Sequence, residues 1–258
     1  MDLEAADGRR RGTQAIERAV ALLRSFDTDA ELGIMELAAR HQLSPSTAHR
    51  IARALVDAGL LEQDPHSERY RLGIGLVELG LLTSQRAGVE AARPFLEALG
   101  EATGESINLG VRRGEEVMVV LRVQSPQPLR FEQPAGSRVP IHTSAMGKAV
   151  LAFSAEPDAE VDRLAALKRL TSNTLTSRAA LKRDLHLTRE RGYAVNDEER
   201  NVGVRAVGAP VLDRRGRAMA AISVQGPTVR LTDQVVPKIA AQVQDVAPRV
   251  ASVLVLGS

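Results

Sequence analysis

Cysteine is missing from all 258 residues, and so is tryptophan. Without thiols there can be no disulfides, thiolate nucleophiles or cysteine-based zinc sites. Their absence also fits a reducing cytosol. Aromatic residues amount to 2% of the chain. The cores must therefore be built from Leu, Val, Ile and Ala, and base stacking on single-stranded nucleic acid is poorly supplied. No apolar run approaches the length of a membrane span. The stretch from Met1 to Gly12 is acidic and then basic, with no apolar segment for a signal peptide, so a cytoplasmic protein is expected. A strong charge of either sign is lacking as well. The formal net charge is +2, and the residues before Gly73 carry ten Arg, no Lys and twelve Asp or Glu. Any case for nucleic acid has to rest on where the basic groups sit, not on bulk charge. What is present is an ordinary 44% of hydrophobic residues in a chain whose length suits two compact domains.

Residues 1–12 read as a disordered arm with a basic run, Arg9, Arg10 and Arg11. Such a run is a solvated tail by default; in a DNA-binding context it is an arm that reaches phosphates or the minor groove. From Thr13 the pattern turns helical, with Ile16, Ala19, Val20, Leu23 and Phe26 at three-and-four spacing. A short second helix is expected from about Gly33 to His41. Leu43 and Ser44 then form a tight turn, with Ser44 as N-cap, Pro45 at the first helical position, and Gly59 ending a third helix that runs to Asp57.

Two short helices joined by a tight turn form the skeleton of a helix-turn-helix. The second begins with small polar residues, Ser44, Ser46 and Thr47, and its outer face carries His49, Arg50 and Arg53. This suits a helix whose N-terminal end enters the major groove, where hydroxyls and the helix dipole meet phosphates and longer side chains reach base edges. Taken alone, the pattern fits an ordinary amphipathic hairpin equally well. The next segment shifts the balance. Leu60–Gln63 and Glu68–Leu72 read as two short strands around an Asp64–Ser67 turn. A hairpin placed there is a wing that can bring His66 and Arg69 to the DNA backbone or minor groove.

Four stretches, "TQAIERAVALLRSF", "MELAARHQLSPSTAHRIARALVDAGLLEQDPHSERYRLG", "PIHTSAMGKAVLAF" and "GYAVNDEERNVGVRAVGAPVLDRRGRAMAAISVQGP", resemble the IclR family of transcription regulators in order and spacing. The resemblance runs from Thr13 nearly to the end of the chain. It implies an α+β protein: a winged helix-turn-helix over residues 13–72, a connecting helix over 73–87 that helps dimerise, and an effector-binding domain over 88–258. That last domain is expected to be related to GAF and profilin-like α/β folds.

The residues read independently agree with an antiparallel α+β domain. Strands are expected over Ser106–Val111, Glu116–Val123, Val204–Leu212 and Ala218–Val224. Helices are expected over Pro94–Thr103, Ala145–Phe153 and Arg178–Arg191, with a last one after Thr232. Gly73–Ala87 reads as a helix with an apolar face of Ile74, Val77, Leu81 and Leu82.

Catalytic and cofactor motifs fail. Gly147-Lys148 lacks the first Gly and the Ser or Thr of a P-loop, and Ser144 and Lys148 are four apart rather than three. The five His are scattered, so no metal site is supported, and no cofactor is implied. Asp197, Glu198 and Glu199 read as a solvated run or a loop around a pocket.

By alignment to the family motif, Ala145 and Met146 fall on the effector pocket, Asn196 falls where an acid is frequent, and Ala206 falls where Cys is frequent. Ser223 and Gln225 alternate on one strand face and offer polar groups to a ligand. Small residues at a helix start near Ala145 favour an anion such as a carboxylate. The expectation is a DNA-binding regulator and not an enzyme. It would act as a repressor, as a homodimer or dimer of dimers on an inverted repeat of double-stranded DNA, modulated by an organic acid. The alternative is a stand-alone metabolite-binding or catalytic domain whose N-terminal module binds protein. Exposed Arg50 and Arg53 favour DNA, since a protein-binding helix would present an apolar outer face.

Overall fold

Burial of Leu22, Phe26, Leu37, Ala52, Leu55 and Tyr70 in one cluster organises the first of two units in the computed structural model, which divides after Thr83. The structure describes residues 3–255, with side chains from Thr13 onward. The side chains of Arg9, Arg10 and Arg11 lie outside the described residues. Helix α1 spans Leu3–Arg24, α2 Ile34–Arg40 and α3 Pro45–Asp57; strands β1 and β2 span Leu61–Gln63 and Tyr70–Leu72. The helical backbone of α1 starts ten residues before Thr13 and replaces the disordered arm expected there. Leu, Glu, Ala and Arg are all good helix formers and outweigh Gly8 and Gly12.

Ser44 caps α3, its side chain accepting the Thr47 N–H at 3.3 Å, with Pro45 in the first turn. Gly59 takes the left-handed conformation just past the end of the helix, with φ of 70°. Strands β1 and β2 form an antiparallel hairpin in which Leu61 pairs with Leu72 and Gln63 with Tyr70. Leu32 adds a bridge to Tyr70 through two backbone hydrogen bonds of 3.0 and 2.8 Å. The architecture is a winged helix-turn-helix.

Helix α4 follows, Ile74–Arg86. No residue in it is buried; Ile74 is 63% and Leu81 59% exposed, and Val77, Leu79 and Leu82 are exposed with them.

The second unit begins with α5 (Val89–Thr103) and continues with β3 (Ser106–Arg113), β4 (Glu116–Val123), β5 (Arg138–Pro140), α6 (Ala145–Ala152), α7 (Pro157–Arg163) and α8 (Arg178–Arg191). It closes with β6 (Ala194–Asp197), β7 (Val204–Leu212), β8 (Ala218–Pro227) and α9 (Val236–Val253). The strands make one sheet in the order β5-β4-β3-β8-β7-β6, with every pairing antiparallel. Period-two alternation separates its faces. Ile107, Leu109, Val207, Ile222 and Val224 pack with Leu96 and Leu99 of α5 and Val243 and Val250 of α9. The opposite face meets α6, α7 and α8 through Val117, Val119, Met146, Val150, Leu181 and Ala221. Helix α8 is capped by Ser177, one of two candidates with Thr176 in the sequence, and stopped by left-handed Gly192. Strands β5 and β6 and helix α7 were not foreseen; each is four to seven residues or shorter, too brief for a clear period. No helix among the described residues is long and apolar enough to cross a membrane.

Candidate functional site

On α3, Ala48, Ala52 and Leu55 face the core, which turns His49, Arg50 and Arg53 outward. The hydroxyls of Ser46 and Thr47 lie 3.1 and 2.8 Å from Ser44 Oγ, so the three are gathered at the helix start. Three arginines of this unit are engaged elsewhere. Arg40 pairs with Asp29 at 2.9 Å, Arg69 with Glu36 at 2.8 Å and Arg71 with Glu62 at 3.0 Å. Among the described residues, Arg50 and Arg53 have no hydrogen-bond or ion-pair partner. The α3 face therefore presents two free guanidiniums beside a cluster of hydroxyls at the positive end of a helix dipole, an arrangement suited to phosphates and base edges.

The wing needs one revision. His66 is exposed at its tip, where Asp64 Oδ1 accepts the N–H groups of His66 and Ser67 at 2.9 and 2.7 Å. Those donors hold the Asp64 carboxyl below its ordinary value. Arg69, expected to reach DNA, lies next to the turn, opposite Asp64, but its side chain is paired with the segment at the start of α2. Its Nη2 donates to Glu36 Oε2 and, at 3.1 Å, to the Glu31 carbonyl. Glu36 Oε2 also accepts the Gly33 N–H at 2.6 Å, which satisfies one donor at the start of α2 and lowers the Glu36 pKa. The Gly33–Glu36 spacing carried that signal in the sequence; the partner 33 residues away did not show.

In the second unit, strand register assembles most of the predicted pocket residues. Asn196 pairs with Ala206, Ala206 with Gln225, and Gln225 with Ser106, giving one row across four strands. The adjacent row on the same face is Ala194, Gly208, Ser223 and Asn108. Asn196, Ser223, Gln225 and Asn108 are buried polar residues on this face, and Asn108 Nδ2 donates to Gln225 Oε1 at 3.3 Å. Ala206 places a methyl between two polar neighbours.

Helix α6 lies against the same face. A Cβ on Gly110 would come within 2.8 Å of Met146 Sδ, and one on Gly208 within 3.0 Å of the Ala145 carbonyl carbon. Only glycines admit the first turn of α6 this close. Ser144 Oγ caps the helix by accepting the Gly147 N–H at 3.0 Å, which leaves the N–H groups of Ala145 and Met146 outside that cap.

Lys148 was missed as more than a failed motif. It is 1% exposed, with Nζ 2.5 Å from Glu199 Oε1 and 2.9 Å from Asp184 Oδ2. The Glu199 N–H donates to Asn196 Oδ1 at 2.9 Å, so the residue that pairs with Lys148 also holds the Asn196 side chain. Burial outweighs the attraction of Lys148 and raises the Glu199 pKa. The acidic run is thus split three ways: Asp197 binds Arg205 at 2.8 Å, Glu198 accepts the Gly203 N–H at 2.6 Å, and Glu199 is buried. His142 is structural, its Nε2 lying 3.2 Å from the Lys168 carbonyl.

Comparison with known proteins agrees with this layout. The family model of the IclR helix-turn-helix domain matches residues 15–65, and that of the bacterial transcriptional regulator IclR C-terminal domain matches residues 82–252. The transcriptional regulator BhcR of Paracoccus denitrificans is 38% identical over 224 residues, 86% of this chain and 80% of its own. The glycerol operon regulatory protein of Streptomyces griseus is 36% identical over 248 residues, 93% and 96% of the two chains. The transcriptional repressor AllR of Escherichia coli K12 is 31% identical over 226 residues, 86% and 83%. Among solved structures, a transcriptional regulator from Rhodococcus sp. RHA1 is 27% identical with a TM-score of 0.81, covering 93% of this chain and 98% of that one. An IclR homologue from Microbacterium hydrocarbonoxydans, solved with 4-hydroxybenzoate, shares the fold at 24% identity and a TM-score of 0.78, with coverage of 92% and 98%. The chain belongs to the IclR family of DNA-binding transcription regulators.

Proposed function

We propose that this regulator represses transcription in the cytoplasm as a homodimer on an inverted repeat, through α3, until an organic acid binds its C-terminal domain. The observation that carries the DNA mode is the pair of unpartnered guanidiniums, Arg50 and Arg53, on the outer face of α3 beside Ser46 and Thr47. One such helix contacts too few base pairs for useful specificity, and two-fold pairing repairs this. The exposed Ile74, Val77, Leu81 and Leu82 of α4 favour a second copy of the chain as the partner that covers them.

The acid is placed among Met146, Asn196, Ser223 and Gln225. Support comes from buried polar groups gathered on one sheet face under a helix start, and from 4-hydroxybenzoate, itself a carboxylate, in the complex of the Microbacterium protein. Footprinting on the DNA flanking the gene tests the reading: two related half-sites are expected, and protection of one isolated half-site by a monomer would overturn it.

A further inference from the structure

Among the described residues of the second unit, eight buried side-chain polar atoms have no hydrogen-bond partner, and Asn108 Oδ1, Gln133 Nε2 and Thr143 Oγ1 are three of them. Asn108 is 1% and Gln133 5% exposed. A buried polar group left unmatched costs free energy, so such groups call for an explanation. Gln133 leads to a second anomaly. Its Oε1 accepts from Arg200 Nη1 at 3.3 Å, and among the described residues that half-buried guanidinium has no carboxylate partner. Elsewhere in the unit, Arg205 holds Asp197 and Asp233, and Arg230 holds Glu105. An uncompensated guanidinium withdrawn from water is unfavourable unless an anion joins it. Burial correspondingly lowers the Arg200 pKa.

The segments that carry this pair are tied to the polar face. The bond from the Glu199 N–H to Asn196 Oδ1 holds Arg200 beside the β6 end of the row Asn196, Ala206, Gln225, Ser106. Ser106 Oγ donates to the Phe131 carbonyl at 3.4 Å, which holds Gln133 beside the β3 end. The Arg200–Gln133 bond therefore joins the two segments held at the ends of that row. The first turn of α6 lies over the neighbouring row, against Gly208. The rows are two residues apart along the strands, roughly 7 Å, comparable to the span of a short diacid. Lys148 is already neutralised by Glu199 and Asp184 and offers no charge here.

We propose that the ligand of this site is a short dicarboxylate, with one carboxylate at the N–H groups of the first turn of α6 and the other on Arg200 and Gln133. The proposal rests on the reading that an organic acid binds among Met146, Asn196, Ser223 and Gln225, and adds a second anionic anchor. Guanidinium forks favour carboxylates in bidentate geometry, and Gln133 Nε2 supplies a neutral donor beside it.

Calorimetry on the full chain tests this with succinate and glutarate against butyrate and pentanoate, each diacid paired with the monoacid of equal length. The wild type is expected to bind a diacid at least about tenfold more tightly than its matched monoacid. Arg200→Gln is expected to erase that preference while leaving monoacid affinity unchanged, and Gln133→Leu to reduce it, both variants keeping wild-type circular dichroism. Ser223→Leu should weaken monoacid and diacid alike. Wild-type binding without diacid preference, or a preference kept in folded Arg200→Gln, overturns the second anchor alone, provided Ser223→Leu still weakens the monoacid. Binding of both acids indifferent to Ser223→Leu, or no binding of any acid, overturns the underlying site and the proposal with it.

Discussion

The ammonium of Lys148 sits 2.5 Å from Glu199 Oε1 inside the second unit, a contact that ties α6 to the loop after β6. Asp184 on α8 completes the group at 2.9 Å. Removing one member of a buried ionic group leaves the others uncompensated, which typically costs about 3–5 kcal/mol. Lys148→Met should therefore destabilise the chain by that order in urea unfolding followed by circular dichroism. The double variant Lys148→Met/Glu199→Gln should lose less than the two single losses combined. Additivity would mean that the two side chains do not interact.

Glu199 also gives a pH signature. Its folded pKa lies above the ordinary 4.5 because burial opposes ionisation more than Lys148 favours it. A carboxyl with a raised folded pKa contributes stability that is complete below the unfolded value and is lost as pH rises through the folded value. Glu199→Gln cannot lose that contribution. The stability of the variant relative to wild type should accordingly increase as pH rises from 4.5 through the folded value, whatever the constant offset between them. Parallel stability curves across that window would contradict the raised pKa.

Arg50→Ala and Arg53→Ala should each weaken operator binding without altering the melting curve, since both side chains are exposed and unpartnered among the described residues. Loss of a base contact costs about 1–3 kcal/mol and relaxes specificity at one position; loss of a phosphate contact weakens every sequence and lowers the salt slope by about 1. Arg69→Ala is the control: its guanidinium is committed to Glu36 and the Glu31 carbonyl, so the salt slope should stay at the wild-type value. Fluorescence anisotropy over a salt series measures all three. A reduced slope for Arg69→Ala would return that residue to the DNA interface.

What could be read from the sequence was whatever depends on neighbours in the chain. Ser44, Pro45 and Gly59 delimited α3 because caps and stops are local. Gly192 ended α8 in the same way, while the sequence left Thr176 and Ser177 both open as its cap. Alternation placed Ser223 and Gln225 on one face of β8. The family motif located Asn196 and Ala206, and register then set them in one row with Gln225. Illegible were the partnerships that only folding creates. Lys148 and Glu199 are 51 positions apart, and Arg200 and Gln133 are 67 apart. Nothing in a run of three acids says that its third member is buried. The expected inward stripe of α1 was also only half right: Ala19, Leu23 and Phe26 pack, while Ile16 and Val20 remain exposed.

Gly147 tests how closely α6 is seated. A Cβ there would fall 2.1 Å from the Ile141 carbonyl oxygen, a backbone atom that cannot swing away. Overpacking of a buried site costs about 1–3 kcal/mol, and a backbone clash belongs at the upper end. Gly147→Ala should lower the melting temperature and displace the first turn of α6, so organic-acid binding should fall while effector-free DNA binding persists. Unchanged melting would mean that α6 sits further from Ile141 than the structure has it.

The last expectation concerns coupling between the two functions. A ligand shifts DNA affinity only if it binds two arrangements of the protein with different affinity. Helix α4, whose exposed Ile74, Val77 and Leu81 form an apolar face between the two family domains, is the element we expect to hold those arrangements, paired with a second copy. A coupling of about 1–3 kcal/mol would change operator affinity roughly 5- to 150-fold. Linkage then demands that operator DNA change the affinity of the acid by the same factor, because both legs close one thermodynamic cycle. Calorimetric titration of the acid into free protein and into the protein–operator complex measures one leg, and anisotropy of operator with and without saturating acid measures the other. Matching factors are expected. Replacing Leu81 with Asp, which places a charge on the apolar face of α4, should shrink both factors together while the acid still binds. If the acid binds free protein and complex equally, and the Ser223→Leu variant shows that it occupies this pocket, the pocket does not regulate DNA binding.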